Sequence, residues 1–310
     1  GKRSLGLDIK SEKGKEILFA LIKKSDVILH NFRAGVVDRL GLDYDSVRAI
    51  NPSIVYTVIS GFGAKGPRSA DPAYDGAVQA AAGMMANNGT AESGPLRTGY
   101  MPVDLMTGMT AAYATTAALL RKQKTGKGQM VDVAMLDCAI TLGSANFSRS
   151  EVDDIPDMLI GNQSIAGAPT ASSFPTAEGS ILTAAIMPKH VEAFFDELGL
   201  KEMVNDPKFA TPEARIENKE IVRDAMIEAL KSDTAENWEK RLAPRGVPVA
   251  KINSVKETAR LEQLQYRNIL TAVPAAKGMA NGYKLPGAPF TNSEDGPEVM
   301  RPAPVLGQHT

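Results

Sequence analysis

Apolar positions in the first half of the chain switch repeatedly between alternating and helical periods. SLGLDIK (4–10) and DVILHNF (26–32) read as strands around a helix, SEKGKEILFALIKKS (11–25), whose Ile17, Leu18, Leu21 and Ile22 share one face. A helical DYDSVRAIN (43–51) precedes a third strand, IVYTVIS (54–60). Two helices follow, around 75–85 and 104–120, then a strand at QMVDVAML (129–136) and a helix from Leu136. Strands alternating with helices predict an α/β fold with a mostly parallel, Rossmann-like sheet covered by helices.

The pattern changes near Ser164, where SIAGAPTASSFPTAEGS (164–180), rich in small residues, glycine and proline, reads as a linker. Beyond it, a strand at ILTAAI (181–186), helices at HVEAFFDELG, NKEIVRDAMIEALKS and TAENWEKRLA, and a strand at VPVAKIN (247–253) predict a smaller α/β unit. The tail from Pro274 carries Pro286, Pro289, Pro297, Pro302 and Pro304 and reads as loop. The predicted organisation is a large domain from 1–163 and 257–310, a linker at 164–171, and a small domain at 172–256.

One stretch stands out for chemistry: AYDGAVQAAAGMMANNGTAESGPLRTGYMPVDLMTGMTAAYATTAALL (73–120). It puts a lone carboxylate, Asp104, at the mouth of a helix built from small residues, after a turn-rich approach through Gly94, Pro95, Gly99 and Pro102. Such an acid is first of all an N-cap, accepting unpaired backbone N–H groups of the first turn. The positive end of the helix dipole also favours its ionised form. A rigidly held carboxylate can act as a nucleophile.

Composition narrows the field. The 35 basic and 36 acidic residues nearly cancel, so no global field draws the chain to nucleic acid or an anionic membrane, and any anion site is local. No apolar run is long enough to cross a membrane, and GKRSLGLDIK lacks the apolar segment of a secretory signal. The single Cys138 excludes an intrachain disulfide and fits a reducing, cytoplasmic setting; within MLDCAITL it reads as a packed small hydrophobe.

Familiar motifs mostly fail on context. Gly61, Gly63 and Gly66 match G-x-G-x-x-G after a strand, but Pro67, Arg68, Asp71 and Pro72 follow instead of an apolar helix start, so a turn-forming loop is the reading. TGKGQ (125–129) lacks the first glycine of a phosphate loop and reads as a helix stop. His30, His190 and His309 lack metal-ligand spacing, and no G-x-S-x-G elbow is present.

NFRAGVVDRLGLDYDSVRAINPSIVYTVISGFGAKGP, DPAYDGAVQAAAG and PVDLMTGMTAAYATTAALLRKQKTGKGQMVDVAMLD resemble, in order and spacing, the successive signature blocks of the family III CoA-transferases, and the likeness continues through VPVAKIN, KLPGAPF and RPAPVLGQHT. The resemblance implies that family's fold, with a free acyl-CoA and a small carboxylic acid as substrates, no tightly bound cofactor, and an interlocked homodimer. It implies that Asp104 attacks the acyl-CoA thioester, and that Asn31, Phe32, Arg39 and Tyr74 line the CoA site. On the residues alone, Arg39 reads as a solvated helix charge and Phe32 as a core aromatic, while Tyr74 is equally a helix-start tyrosine. Family members carry roughly one further βαβ unit before the block that opens here, contributing to the embrace of CoA. Two other readings stay open: an α-methylacyl-CoA racemase-like enzyme, whose histidine is matched here by Tyr74, and a truncated CoA-binding or inactive homologue.

Overall fold

The computed structural model describes residues 2–275, 278–297 and 301–310. Chain contacts gather into two units, Leu7–Gly161 and Asn162–Thr310 with Gly1–Gly6.

In the first unit, helix α1 (Glu12–Lys24) starts at Ser11, whose hydroxyl accepts the Gly14 N–H, and closes on Lys23 and Lys24, which complement the helix dipole. Strand β1 (Val27–His30), helices α2 (Val36–Leu40) and α3 (Tyr44–Ile50), and strand β2 (Val55–Ser60) follow. After them come helix α4 (Asp75–Ala81), a two-residue ribbon of β3 (Gly89–Thr90) and β4 (Gly94–Pro95), and the long helix α5 (Pro102–Thr125). Strand β5 (Gln129–Ala134) and helices α6 (Met135–Leu142) and α7 (Ser144–Asp153) complete the unit. The sheet order is β1-β2-β5 and both pairings are parallel, so the predicted α/β sheet is present.

Central β2 is buried over its first four residues, as a parallel strand covered on both faces must be. One face packs Tyr56 and Val58 with Ile22, Leu42, Val47 and Ile54. On the other, the Thr57 and Thr115 hydroxyls hydrogen-bond at 2.7 Å, tying α5 to the sheet. Cys138 is buried beside Ala111 and Val133. Gly126 ends α5 in a left-handed conformation (φ 69°) and donates its N–H to the Lys122 carbonyl, so TGKGQ is a helix stop.

Three local expectations are corrected. SLGLDIK is not a strand: Asp8 accepts from the Lys10 and Ser11 amides to form a turn, while Ser4 and Gly6 hydrogen-bond to His309 and Thr310. Alternating apolar residues make a strand only where a neighbouring edge takes up the backbone hydrogen bonds. Within the stretch read as a linker, residues 173–175 form strand β6 (Ser173–Pro175), and Thr170, Ala171 and Ser172 before it are buried. Within the tail read as loop, strand β10 (Tyr283–Pro286) pairs antiparallel with β9 (Leu270–Val273).

The second unit is built on an antiparallel sheet of order β6-β7-β8, with β7 (Ser180–Thr183) central and β8 (Val249–Lys251) at its edge. Helices α8 (Pro188–Glu197), α9 (Glu202–Asn205), α10 (Pro212–Glu217), α11 (Lys219–Leu230) and α12 (Ala235–Leu242) lie between β7 and β8 in the chain. Phe174, Ile181, Phe194, Phe195, Met226 and Trp238 centre the core, and the Trp238 indole donates to the Leu230 carbonyl at 2.9 Å. Residues 257–310 gather with this unit, whereas the sequence pattern joins them to 1–163. Because Phe194 is fully buried here, Phe194→Ala is expected to destabilise the protein by about 3–5 kcal/mol, measured as a lowered urea midpoint at unchanged slope.

Candidate active site

Parallel strands leave a crevice outside their carboxyl ends, where ligands of open α/β sheets bind. Here β1 runs into Asn31–Ala34 and β2 into the glycine-containing loop that begins at Gly61. Between them lies a cavity of about 500 Å³, whose wall includes Asn31, Phe32, Arg33, Ser60, Tyr74 and Asp104. A second cavity of about 190 Å³ shares Phe32, Arg33 and Ser69 with the first and adds Gly35 and Lys65.

Four of the five residues singled out in the sequence, Asn31, Phe32, Tyr74 and Asp104, thus line one cavity. Arg39 lies on α2 in the walls of neither, with its guanidinium packed near Gly35.

Phe32 is placed by its neighbour two residues back. Its ring stacks on His30 with centroids 5.7 Å apart, and its amide donates to His30 Nδ1. His30 Nε2 lies 2.8 Å from the Tyr56 hydroxyl, which itself donates to the Leu42 carbonyl at 2.7 Å. That hydroxyl proton is committed, so Nε2 carries the hydrogen and Nδ1 the lone pair: a neutral imidazole. Burial accordingly lowers the His30 pKa and is the main cause that pushes Tyr56 up to about 12.

Tyr74 is 79% exposed and stands at the N-cap of α4 without capping it by a side-chain hydrogen bond. The loop ahead of it, which holds Gly63 and Gly66 at φ 97° and 104°, is the turn-forming segment expected from the sequence. It is held by Ser60, which accepts the Gly63 amide, and by Asp132, which accepts the Ala64 amide. At Gly61 a Cβ would come within 2.2 Å of the Ala73 Cβ, so two cavity-lining stretches touch where a side chain would not fit.

Asp104 is not the N-cap of its helix. Helix α5 begins at Pro102, Asp104 is its third residue, and the cap position is Met101, which offers no acceptor side chain. The cap comes instead from α4: Asp75 Oδ2 accepts the amides of Val103 at 2.9 Å and Asp104 at 3.0 Å. The Asp104 carboxylate is therefore spared capping and stands exposed in the cavity wall. Its pKa is raised, first by partial desolvation and second by the negative charge of Asp75. This reverses the expectation that the helix mouth would favour the charged form: a nearby like charge and lost solvent outweigh the dipole.

Asp75, Gln79 and Arg33 were not identified from the sequence as parts of the site. A carboxylate on the first turn of one short helix gives no local sign that it caps another helix 28 residues later. Among the described residues, no group of His, Cys, Asp and Glu has a metal-binding arrangement, and no helix is long and apolar enough to cross a membrane.

Since a raised pKa means that protonation sets in earlier on acidification, the carboxyl carbon of Asp104 is expected to titrate above the ordinary aspartate value of about 3.9. Carbon NMR of protein labelled at aspartate carboxyls measures this. A midpoint at or below that value contradicts the described electrostatics.

The description "CoA-transferase family III" matches residues 1–310. The chain is 33% identical over 325 residues to a formyl-CoA:oxalate CoA-transferase of Streptomyces coelicolor, covering 99% of this chain and 78% of that protein. It is 30% identical over 320 residues to a succinate–glutarate CoA-transferase of Agrobacterium fabrum, covering 100% and 76%. A crystal structure of a CaiB/BaiF family protein from Brucella suis superposes with a TM-score of 0.86 at 28% identity, covering 100% of this chain and 80% of that one. Read with the parallel sheet and the carboxylate-bearing cavity, these likenesses lead to one statement: the chain belongs to CoA-transferase family III.

Proposed function

We propose that the protein moves CoA from an acyl-CoA donor to a free carboxylic acid, with Asp104 as covalent relay. The observation that carries this reading is a carboxylate left free of capping duty, in a cavity at the carboxyl ends of β1 and β2. The Asp104 carboxylate attacks the thioester carbonyl, the C–S bond breaks, and CoA leaves as thiolate from a mixed anhydride. The thiolate then attacks the aspartyl carbonyl, releasing the first acid as its carboxylate and leaving an aspartyl-CoA thioester. The acceptor carboxylate repeats these two steps in reverse. Carboxylate relay conserves the activation of the thioester, which attack by water would lose.

For CoA, Phe32 offers an exposed ring edge fixed by His30, and Asn31 offers an amide beside it. Arg33 and Lys65 supply positive charge for phosphates along the two adjoining cavities, with Arg39 on α2 as a further phosphate partner. CoA is substrate here, not resident cofactor. The named relatives act on oxalate, succinate and glutarate, so the acceptor is assigned only as a small carboxylic acid.

A second copy of the chain is the proposed partner. Leu105, Met109 and Tyr113 recur every four residues along α5 and are 64%, 57% and 74% exposed, an apolar stripe that calls for a protein cover. The proposed setting is the reducing cytoplasm, a reading supported by the one cysteine of the sequence, which leaves no intrachain disulfide to form.

Asp104→Asn is expected to lower acyl transfer by on the order of 10³-fold or more while leaving Tm within about 3 °C. Near-normal turnover, with deamidation excluded by mass, sinks the assignment. Incubated with acyl-CoA and no acceptor, the unmodified protein is expected to gain a hydroxylamine-sensitive mass on Asp104. Deuterium uptake at the α-carbon of a 2-methylacyl-CoA, at a rate comparable to transfer, would instead favour the racemase-like reading, for which Tyr74 stands where a histidine would supply the second base.

A further inference from the structure

Against the first turn of α5 lies a buried polar assembly centred on Asp75 and Gln79, which are 6% and 1% exposed. Asp75 Oδ2 takes the Val103 and Asp104 amides, and Oδ1 takes the Gln79 side-chain Nε2 at 2.5 Å. The orientation of Gln79 is forced. The Thr98 backbone N–H can only donate, and it meets Gln79 Oε1 at 3.0 Å, so Nε2 must face Asp75 and the Thr98 hydroxyl. That hydroxyl in turn donates to the Tyr100 carbonyl at 2.8 Å. Every hydrogen-bond partner of the Asp75 side chain is thus a donor, matching a carboxylate, which only accepts. The amino ends of α4 and α5 both meet this group.

We propose that Asp75, locked by Gln79, is a positioning residue that also acts electrostatically, fixing the first turn of α5 and disfavouring the free carboxylate of Asp104 relative to its neutral acylated form. The proposal rests on Asp104 being the relay. While Asp104 is free, two carboxylates share one helix terminus. Once its oxygen has attacked the thioester and CoA has left as thiolate, Asp104 is a neutral anhydride; once the thiolate has displaced the acyl carboxylate, it is a neutral thioester. In both forms the negative charge has left on the departing group and the repulsion with Asp75 is gone. Of the other charged side chains in the cavity wall, Asp71 is paired with Arg68 at 2.8 Å, and Arg33 lies on the loop after β1. A like charge near Asp104 therefore favours the covalent intermediate, whereas a neutral cap would hold the turn without this bias.

The test uses the full chain, an acyl-CoA donor, and the donor's free acid at a fixed ratio. First-turn amides of a helix ordinarily have no intrahelical partner. Hydrogen exchange followed amide by amide on the unmodified protein is therefore expected to show protection in the segment 103–104, and exchange at the unprotected rate overturns the proposal with no variant needed. Gln79→Met keeps both charges. It is expected to speed exchange in that segment and lower kcat about 10-fold, with donor KM within about threefold and the equilibrium fraction of aspartyl adduct unchanged. Asp75→Asn removes the charge and is expected to lower kcat further and shift the adduct equilibrium about 10-fold toward free Asp104. An adduct in the unmodified protein whose equilibrium is unmoved in a folded Asp75→Asn overturns the role of Asp75 alone. No adduct in the unmodified protein overturns the Asp104 relay and this role with it. If Asp75→Asn does not fold, unaltered exchange and unaltered kcat in Gln79→Met overturn the proposal.

Discussion

Two backbone amides at the start of α5 donate to a side chain from another helix, and the geometry of the cavity depends on that. A helix leaves its first N–H groups without partners. In α5 Pro102 removes one of them, and Met101 cannot serve the others. If Asp104 supplied the missing acceptor, its carboxylate would be turned back onto its own backbone. Asp75 fills that place instead, through hydrogen bonds to a charged acceptor of the kind worth about 1.5–3 kcal/mol each. One contact thus joins α4 to α5 and frees the group proposed for chemistry.

The sheet supplies the rest of the frame. Central β2 carries Tyr56 on one face, whose hydroxyl orders His30 and through it Phe32, and Thr57 on the other, whose hydroxyl meets α5. Two neighbouring residues of one strand therefore anchor the residues that follow β1 and the helix that carries Asp104. The alternation of side chains across a strand makes this division automatic.

Lost solvation is the first cause that raises the pKa of Asp104, and the second carboxylate at the same helix terminus, Asp75, adds an electrostatic strain to it. In a structural site such a pair would be a liability. In the proposed relay, whose acylated form is neutral, the same strain would lie on the side of the free enzyme and favour the intermediate.

Much of this was legible in the chain itself. The periods of IVYTVIS and QMVDVAML are those of strands, and β2 and β5 lie where those periods place them. The glycines at 61, 63 and 66 without a following helix spelled a turn, and the glycine at 126 spelled a helix end. The place of Asp104 between a proline turn and a helix of small residues marked it as the carboxylate to watch. These signals are local: they need only a few neighbouring residues. What the tertiary structure alone decided is relational. It decided that SLGLDIK finds no strand to pair with, that 173–175 does, and that Arg39 lies outside the cavity shared by Asn31, Phe32, Tyr74 and Asp104. It also decided that Asp75 caps α5, because a hydrogen bond between residues 28 positions apart depends on how two helices meet, which no periodicity along the chain encodes.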